Sequence, residues 1–219
     1  MKFRRKSAEL ARADRASSEA ADLAQSEAAA FEAATGPFDV DDLPAADEVE
    51  RLDLGSLLIE PVEGLEVRLQ VDEDAGEVQA VVLAGPDGAL ELRAFAAPRG
   101  GDLWSTLRPQ IAADFAQRGG TATERDGRFG TELVCQLTVR TADGRTGTQP
   151  SRIIGINGER WMLRATLLGK PAQEIDSAAE WEAAIERIVV RRGGQAMPVG
   201  AALPLTLPPR EQLVDPSDA

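Results

Sequence analysis

Glu66 to Asp72, EVRLQVD, alternates without a break: Val67, Leu69 and Val71 fall on one side, Glu66, Arg68, Gln70 and Asp72 on the other. Successive side chains of a strand point to opposite faces, so this period of two marks a half-solvated strand. The turn Asp74-Ala75-Gly76 follows, then EVQAVVLAG, the turn Pro86-Asp87-Gly88, and ALELRAFAAP. Connections this short force neighbouring strands to run antiparallel, because a parallel pair needs a crossover of about a dozen residues or more. An antiparallel meander is thus the frame that the rest of the chain must cover. GSLLIEPVEG reads as a strand and turn ahead of it. TELVCQLTVR (131–140) reads as a later strand with Leu133, Cys135, Leu137 and Val139 on one face, and Asp143-Gly144 as the turn that ends it.

Two stretches change period. In GGDLWSTLRPQIAADFAQRGG, Trp104, Leu107, Ile111 and Phe115 recur at helical spacing, with Asp102 as N-cap and Gly119-Gly120 as a stop. Pro109 lacks the N–H that an interior position needs, so the helix is bent there or begins near it. Ser177 to Glu180 reads as a capping box that starts a helix carrying Trp181, Ile185, Ile188 and Val189. The fold class is α+β: an antiparallel β-sheet covered by helices at about 102–118 and 177–190, with flexible arms at both ends.

SRIIGINGERWMLRATLLG (151–169) carries the strongest hairpin signal, Asn157-Gly158, whose residues suit a type I′ turn. That turn pairs Ile156 with Glu159, Ile154 with Trp161, Arg152 with Leu163 and Ser151 with Arg164. Ile156, Ile154, Trp161, Leu163 and Leu167 then form the core face. Gly155, Ile153, Ser151, Arg160, Met162, Arg164 and Thr166 form the other. Arg160 and Arg164 thus share a face among apolar neighbours. They read as the wetter side of the sheet, their stems covering apolar surface. Alternatively they form an anion or acidic-peptide site, joined by Arg145, Gln149 or Arg152. Exposed arginines are common and binding sites few, which favours the first reading. In a variant of the second, the chain's own Asp39, Asp41 and Asp42 dock on the arginines.

The chain divides at about residues 50 and 192. Residues 1–50 are an Ala/Glu-rich stretch suited to a transient helix, then an acidic linker, FDVDDLPAADEVERLDL, that starts at Phe38. Residues 51–192 form a single domain, and 193–219 a Pro-rich extended tail. Composition bounds the chemistry. Histidine and tyrosine are absent and cysteine occurs once, as Cys135. No His base can activate a Ser or Cys nucleophile, and zinc loses its usual ligands. Asp39, Asp41 and Asp42 lack the glycine and terminal glutamate of a calcium loop and read as solvated linker. Cys135, on the apolar face of its strand, reads as a buried inert thiol. No catalytic residue, metal or cofactor is expected.

A formal charge of −13 repels nucleic acid and anionic lipid and suits a protein partner with a basic surface. The basic opening residues Lys2, Arg4, Arg5 and Lys6 are followed at once by acid, and no apolar signal-peptide core or spanning run follows them. Neither nucleic acid nor membrane is expected as a partner, and the expected location is cytoplasmic.

Several stretches together, GPFDVDDLP, RLDLGSLLIEPVEGLEVRLQVD, LRAFAAPRGGDLW, GTELVCQLTVRTADGRTGTQPSRIIGINGERWMLRATLLG and AMPVGAALPLTLP, resemble an actinobacterial family known as domain of unknown function 3710. The resemblance covers about Gly36 to Pro208 and implies no activity. The order meander, helix, strands, hairpin, helix is also similar to the PsbP-like αβα sandwiches, which implies adaptor or assembly roles by fold analogy alone. The functional expectation is a non-enzymatic binding or adaptor protein that uses its arms as interaction segments. The alternative is a small-anion or nucleotide-linked module, possible enzyme included, built on the arginine face.

Overall fold

The computed structural model describes residues 35–45, 47–140 and 146–208. Residues 42–49 group apart by contact, and the fold below is that of 36–41 and 50–208. The meander takes shape as expected from its period: β4 (Glu66–Val71), β5 (Val78–Ala84) and β6 (Gly88–Ala96) are consecutive and antiparallel. Four more strands extend the sheet: β7 (Thr121–Gly127), β8 (Gly130–Arg140), β9 (Thr146–Asn157) and β10 (Trp161–Gly169). The order across the seven strands is β4-β5-β6-β10-β9-β8-β7, antiparallel at every pairing. The molecule is α+β. β7 carries no apolar stripe, only the polar run TATERDG on the sheet edge, which is why alternation did not single it out.

Each face of the sheet has its own core. On one, Val81, Leu83, Leu90, Leu92, Ile154, Leu163 and Leu167 are buried against Trp181, Ala184 and Ile185. The latter three belong to α3 (Ala179–Glu186), which follows the short α2 (Lys170–Gln173) and a 3-10 turn at Ile175–Ala178. The expected capping box does not form: the Ser177 hydroxyl bonds Glu174, and α3 begins two residues later without a side-chain cap. The segment past Ile188 is not helix but a two-residue strand, β11 (Val189–Val190), fully buried. β11 pairs with β1 (Phe38–Asp39) in parallel and with β3 (Leu57–Ile59) antiparallel. β2 (Leu52–Asp53) completes this second, four-stranded sheet.

On the other face α1 (Leu103–Gln117) packs Trp104, Leu107, Ile111 and Phe115 over Leu133, Cys135, Ile153 and Met162. Asp102 caps it, accepting the Ser105 N–H at 2.9 Å. Pro109 lies inside a continuous helix rather than at its start. No helix among the described residues is long and apolar enough to cross a membrane.

The hairpin register differs from the expected one by four residues. Leu163 faces Ile156 and Arg164 faces Gly155, and the two-residue loop is Glu159-Arg160. Asn157 and Gly158 are spent otherwise. The Asn157 side chain accepts the Trp104 N–H and donates to Asp102 at 2.7 Å, tying the hairpin to the first turn of α1. Gly158 leaves room for the Trp161 ring, which a Cβ there would meet at 2.1 Å. Tertiary bonds outweighed the local turn preference. Because the shift is even, the side chains that stay in the strands keep their expected faces, while Arg160 moves into the loop.

The tail from Gly193 is extended, and it is bonded to the core as far as Thr206. Gly200 N–H donates to the Ala96 carbonyl, Ala96 N–H to Ala201, Leu203 N–H to Ala94 and Thr206 N–H to Leu54, each at 2.8–3.0 Å. It runs along β6 beyond the last β5 pairing, Val81 with Leu92, while Leu205 bridges Val78 of β5 and Leu203 enters the core.

Candidate functional site

α1 leaves part of its face of the sheet uncovered. Between the helix and the sheet lies a cleft of about 620 Å³, within the roughly 300–1,000 Å³ usual for small-molecule sites. Its floor is Phe95, Ile153 and Met162, its wall Leu107, Ile111 and Phe115, with Gly200 of the tail at the rim. The polar groups that reach it are Glu91, Gln149, Ser151, Arg164 and Thr166 from the sheet, Gln110 and Asp114 from the helix, and Arg118 from its C-terminal cap.

Arg164 is the centre of this set. It stands directly across the strand boundary from Arg93 on the same face, an arrangement that costs free energy when nothing answers the two charges. Both guanidinium carbons lie over the Phe95 ring, Arg93 at 5.7 Å and Arg164 at 5.4 Å from its centroid. Arg164 meets Glu91 at 3.4 Å, and Arg93 meets the Gln79 amide oxygen at the same distance, both at the long end of hydrogen bonding. The Nε of each arginine is buried and has no partner among the described residues. Burial holds the Arg164 pKa below its ordinary value, with Glu91 opposing that shift and Arg93 reinforcing it. The chemical meaning is a cation short of counter-charge beside a cavity with an apolar floor.

The expected site residues separate into four cases. Arg164 and Gln149 line the cleft. Arg160 sits partly exposed in the hairpin loop, away from the cleft lining, and its carbonyl accepts the Ala97 N–H. Arg152 lies on the opposite face, as the alternation with Ile154 requires, and is 2% exposed. There its Nε donates to Glu132 at 2.7 Å and its Nη2 to Glu182, while Arg125 bonds the same Glu132 oxygen. Arg152 is thus a buried structural ion and not part of an anion site. Arg145 falls outside the described residues.

Among the arm residues, Phe38 and Asp39 form β1. Asp39 accepts the Trp161 indole N–H at 2.8 Å. The acidic linker therefore does meet the core, but on the face opposite Arg164. Asp41 donates its N–H to Asp39, and both Asp41 and Asp42 are exposed. The N-terminal stretch expected as a transient helix, 1–34, and the last residues, 209–219, lie outside the described residues. Burial pushes the Cys135 thiol up to about 11, so it is protonated and unreactive at neutral pH.

Sequence reasoning missed Glu91, Arg93, Phe95 and Arg118. The first three lie on one face of LELRAF, opposite Leu90 and Leu92, so their face was readable. Their neighbour β10 was not, because the β6–β10 pairing spans more than sixty residues of chain.

A family model described as Protein of unknown function (DUF3710) matches residues 36–213, and the chain belongs to that family. No curated protein and no solved structure matches it.

Proposed function

We propose that this DUF3710 protein is a non-enzymatic binding module whose cleft takes a small anionic ligand at Arg164. One observation carries the reading: a guanidinium three-quarters withdrawn from water, only weakly answered by Glu91, at the edge of a cavity of ligand size with an apolar floor. Burying such a charge is costly unless a counter-ion completes it, and ligand binding would supply one. The absence of histidine and the raised Cys135 thiol support binding over catalysis. A PsbP-like αβα sandwich is our reading of the architecture, supported by α1 and α3 on opposite faces of one sheet. A cytoplasmic, actinobacterial protein fits the single cysteine and the excess of arginine over lysine.

The test is a thermal-shift screen of the full chain against nucleotides, phosphorylated metabolites and carboxylates. A ligand that binds only the native state raises the midpoint, by about 2.7 kcal/mol of stabilisation at a hundredfold excess over Kd. Arg164→Gln should abolish the shift. A midpoint unmoved by every anion in the screen would overturn the proposal.

A protein partner with a basic surface is the second reading, supported by the charge of −13. It predicts capture of a basic protein that weakens steeply with salt and is lost when the acidic linker within residues 1–50 is neutralised at Asp41, Asp42, Asp47, Glu48 and Glu50. Capture that ignores salt, or that survives the neutralisation, would sink it.

A further inference from the structure

The charge at the head of the cleft can be counted. Arg93 and Arg164 stand side by side over Phe95, and Glu91 is the one carboxylate recorded against them. Asp114 and Arg118, which also line the cleft, answer each other at 3.3 Å, so the local surplus is one positive charge. A ligand carrying a single negative charge balances it. A dianion would overfill it and would be pressed against Glu91, which is itself largely withdrawn from water, where charge repulsion is weakly screened. A guanidinium offers a planar fork of donors that matches a carboxylate edge, and that of Arg164 makes only a 3.4 Å contact with Glu91. Beyond the head the lining offers an apolar floor and wall, Met162 and Ile153 beneath and Leu107, Ile111 and Phe115 alongside, with Gln110, Gln149, Ser151 and Thr166 between them. An anion without an apolar body would leave the apolar side chains facing water.

We infer that Arg164, which lines the cleft, holds one carboxylate with Arg93 reinforcing its charge from across the strand boundary, and that the ligand of the cleft is a monocarboxylate with an apolar chain or ring that lies along α1. The inference rests on the cleft reading above and narrows it. Glu91 is its selectivity element. It tempers the two arginines so that a monoanion suffices, and it rejects a phosphate monoester of the same body.

The experiment is calorimetric titration of the full chain with decanoate, decyl phosphate, decanol and acetate, each below its aggregation concentration. Decanoate should bind at one per chain and decyl phosphate at least about tenfold more weakly. Decanol and acetate, each lacking one half of the recognised structure, should give no measurable heat. Arg93→Gln and Arg164→Gln should each weaken decanoate by at least about tenfold. Glu91→Gln raises the local surplus to two and should close the gap between decanoate and decyl phosphate. Far-UV circular dichroism of each variant establishes that it is folded. Should an arginine variant unfold, the ligand series on the native chain and on Glu91→Gln still decides. Equal or tighter binding of decyl phosphate, or a preference indifferent to Glu91→Gln, would overturn the carboxylate assignment and leave an anion-binding cleft standing. No binding of decanoate or decyl phosphate would overturn the assignment. Only if the wider anion screen is also silent does the cleft reading fall with it.

Discussion

Replacing Arg152 by methionine should cost about 3 kcal/mol of folding stability. Methionine keeps most of the side chain's length and apolar volume, so packing changes little and the loss reports the charge. The guanidinium is 3% exposed and bridges Glu132, 1% exposed, to Glu182, 13% exposed. Without it Glu182 loses its cation and Glu132 retains only Arg125, which is one-third exposed and better hydrated. Removing one partner of a buried ion pair costs about 3–5 kcal/mol, and the surviving Arg125 bond places this case at the lower end. The assay is urea denaturation at pH 7 followed by far-UV circular dichroism, with stability taken from the midpoint and slope. Arg152→Met with Glu132→Leu removes the stranded charge as well. It should be more stable than the sum of the two single losses by about 1–2 kcal/mol. A loss below about 1 kcal/mol for Arg152→Met, as for a solvated surface pair, would refute the reasoning. So would single losses that simply add.

Gly155→Ala should destabilise by about 1–3 kcal/mol and shift tryptophan emission to the red. Its Cβ would meet the Trp104 ring at 2.1 Å, so emission and stability unchanged from the native protein would contradict that packing. Asp39→Ala leaves the Trp161 indole N–H unpaired in the core and should cost about 1–3 kcal/mol by the same urea assay. Cys135 should resist Ellman's reagent at pH 8 in the folded protein and react at once in denaturant; labelling of the folded state would show an open core. Folding raises this thiol from 9.0 to about 11, so its share of stability is intact below pH 9 and drains away as pH climbs toward 11. Cys135→Ala should remove that alkaline slope, measured as stability against pH.

What the sequence revealed and what it hid follow from range. Strand faces depend only on alternation, so Ile154 and Leu163 against Ile153 and Arg164 could be assigned from the letters. The hairpin's register depends on what lies across the sheet. Asn157 has a stronger use at the first turn of α1 than in a turn of its own, and no local rule can see Asp102 waiting there. The two-residue strands β1, β2 and β11 have no period at all and exist because they meet each other. The candidate site divides the same way. Arg164 was visible on its face, Arg152 was misplaced by grouping it with its loop instead of with Ile154, and Arg93 became a neighbour only once β6 and β10 paired.

The tail along β6 bears on how the chain is born. Synthesis delivers β6 early, yet its edge at Ala94–Ala96 has no mate until Gly200–Leu203 emerge, more than a hundred residues later. β1 likewise waits for β11. Both closures join early chain to late chain, the slow class of contact. The nascent protein therefore carries a bare strand edge while about half of the chain is made, the kind of surface that recruits other strands. Its native state is sealed last, from the carboxyl side, and a chain released before Leu203 would keep that edge open for life.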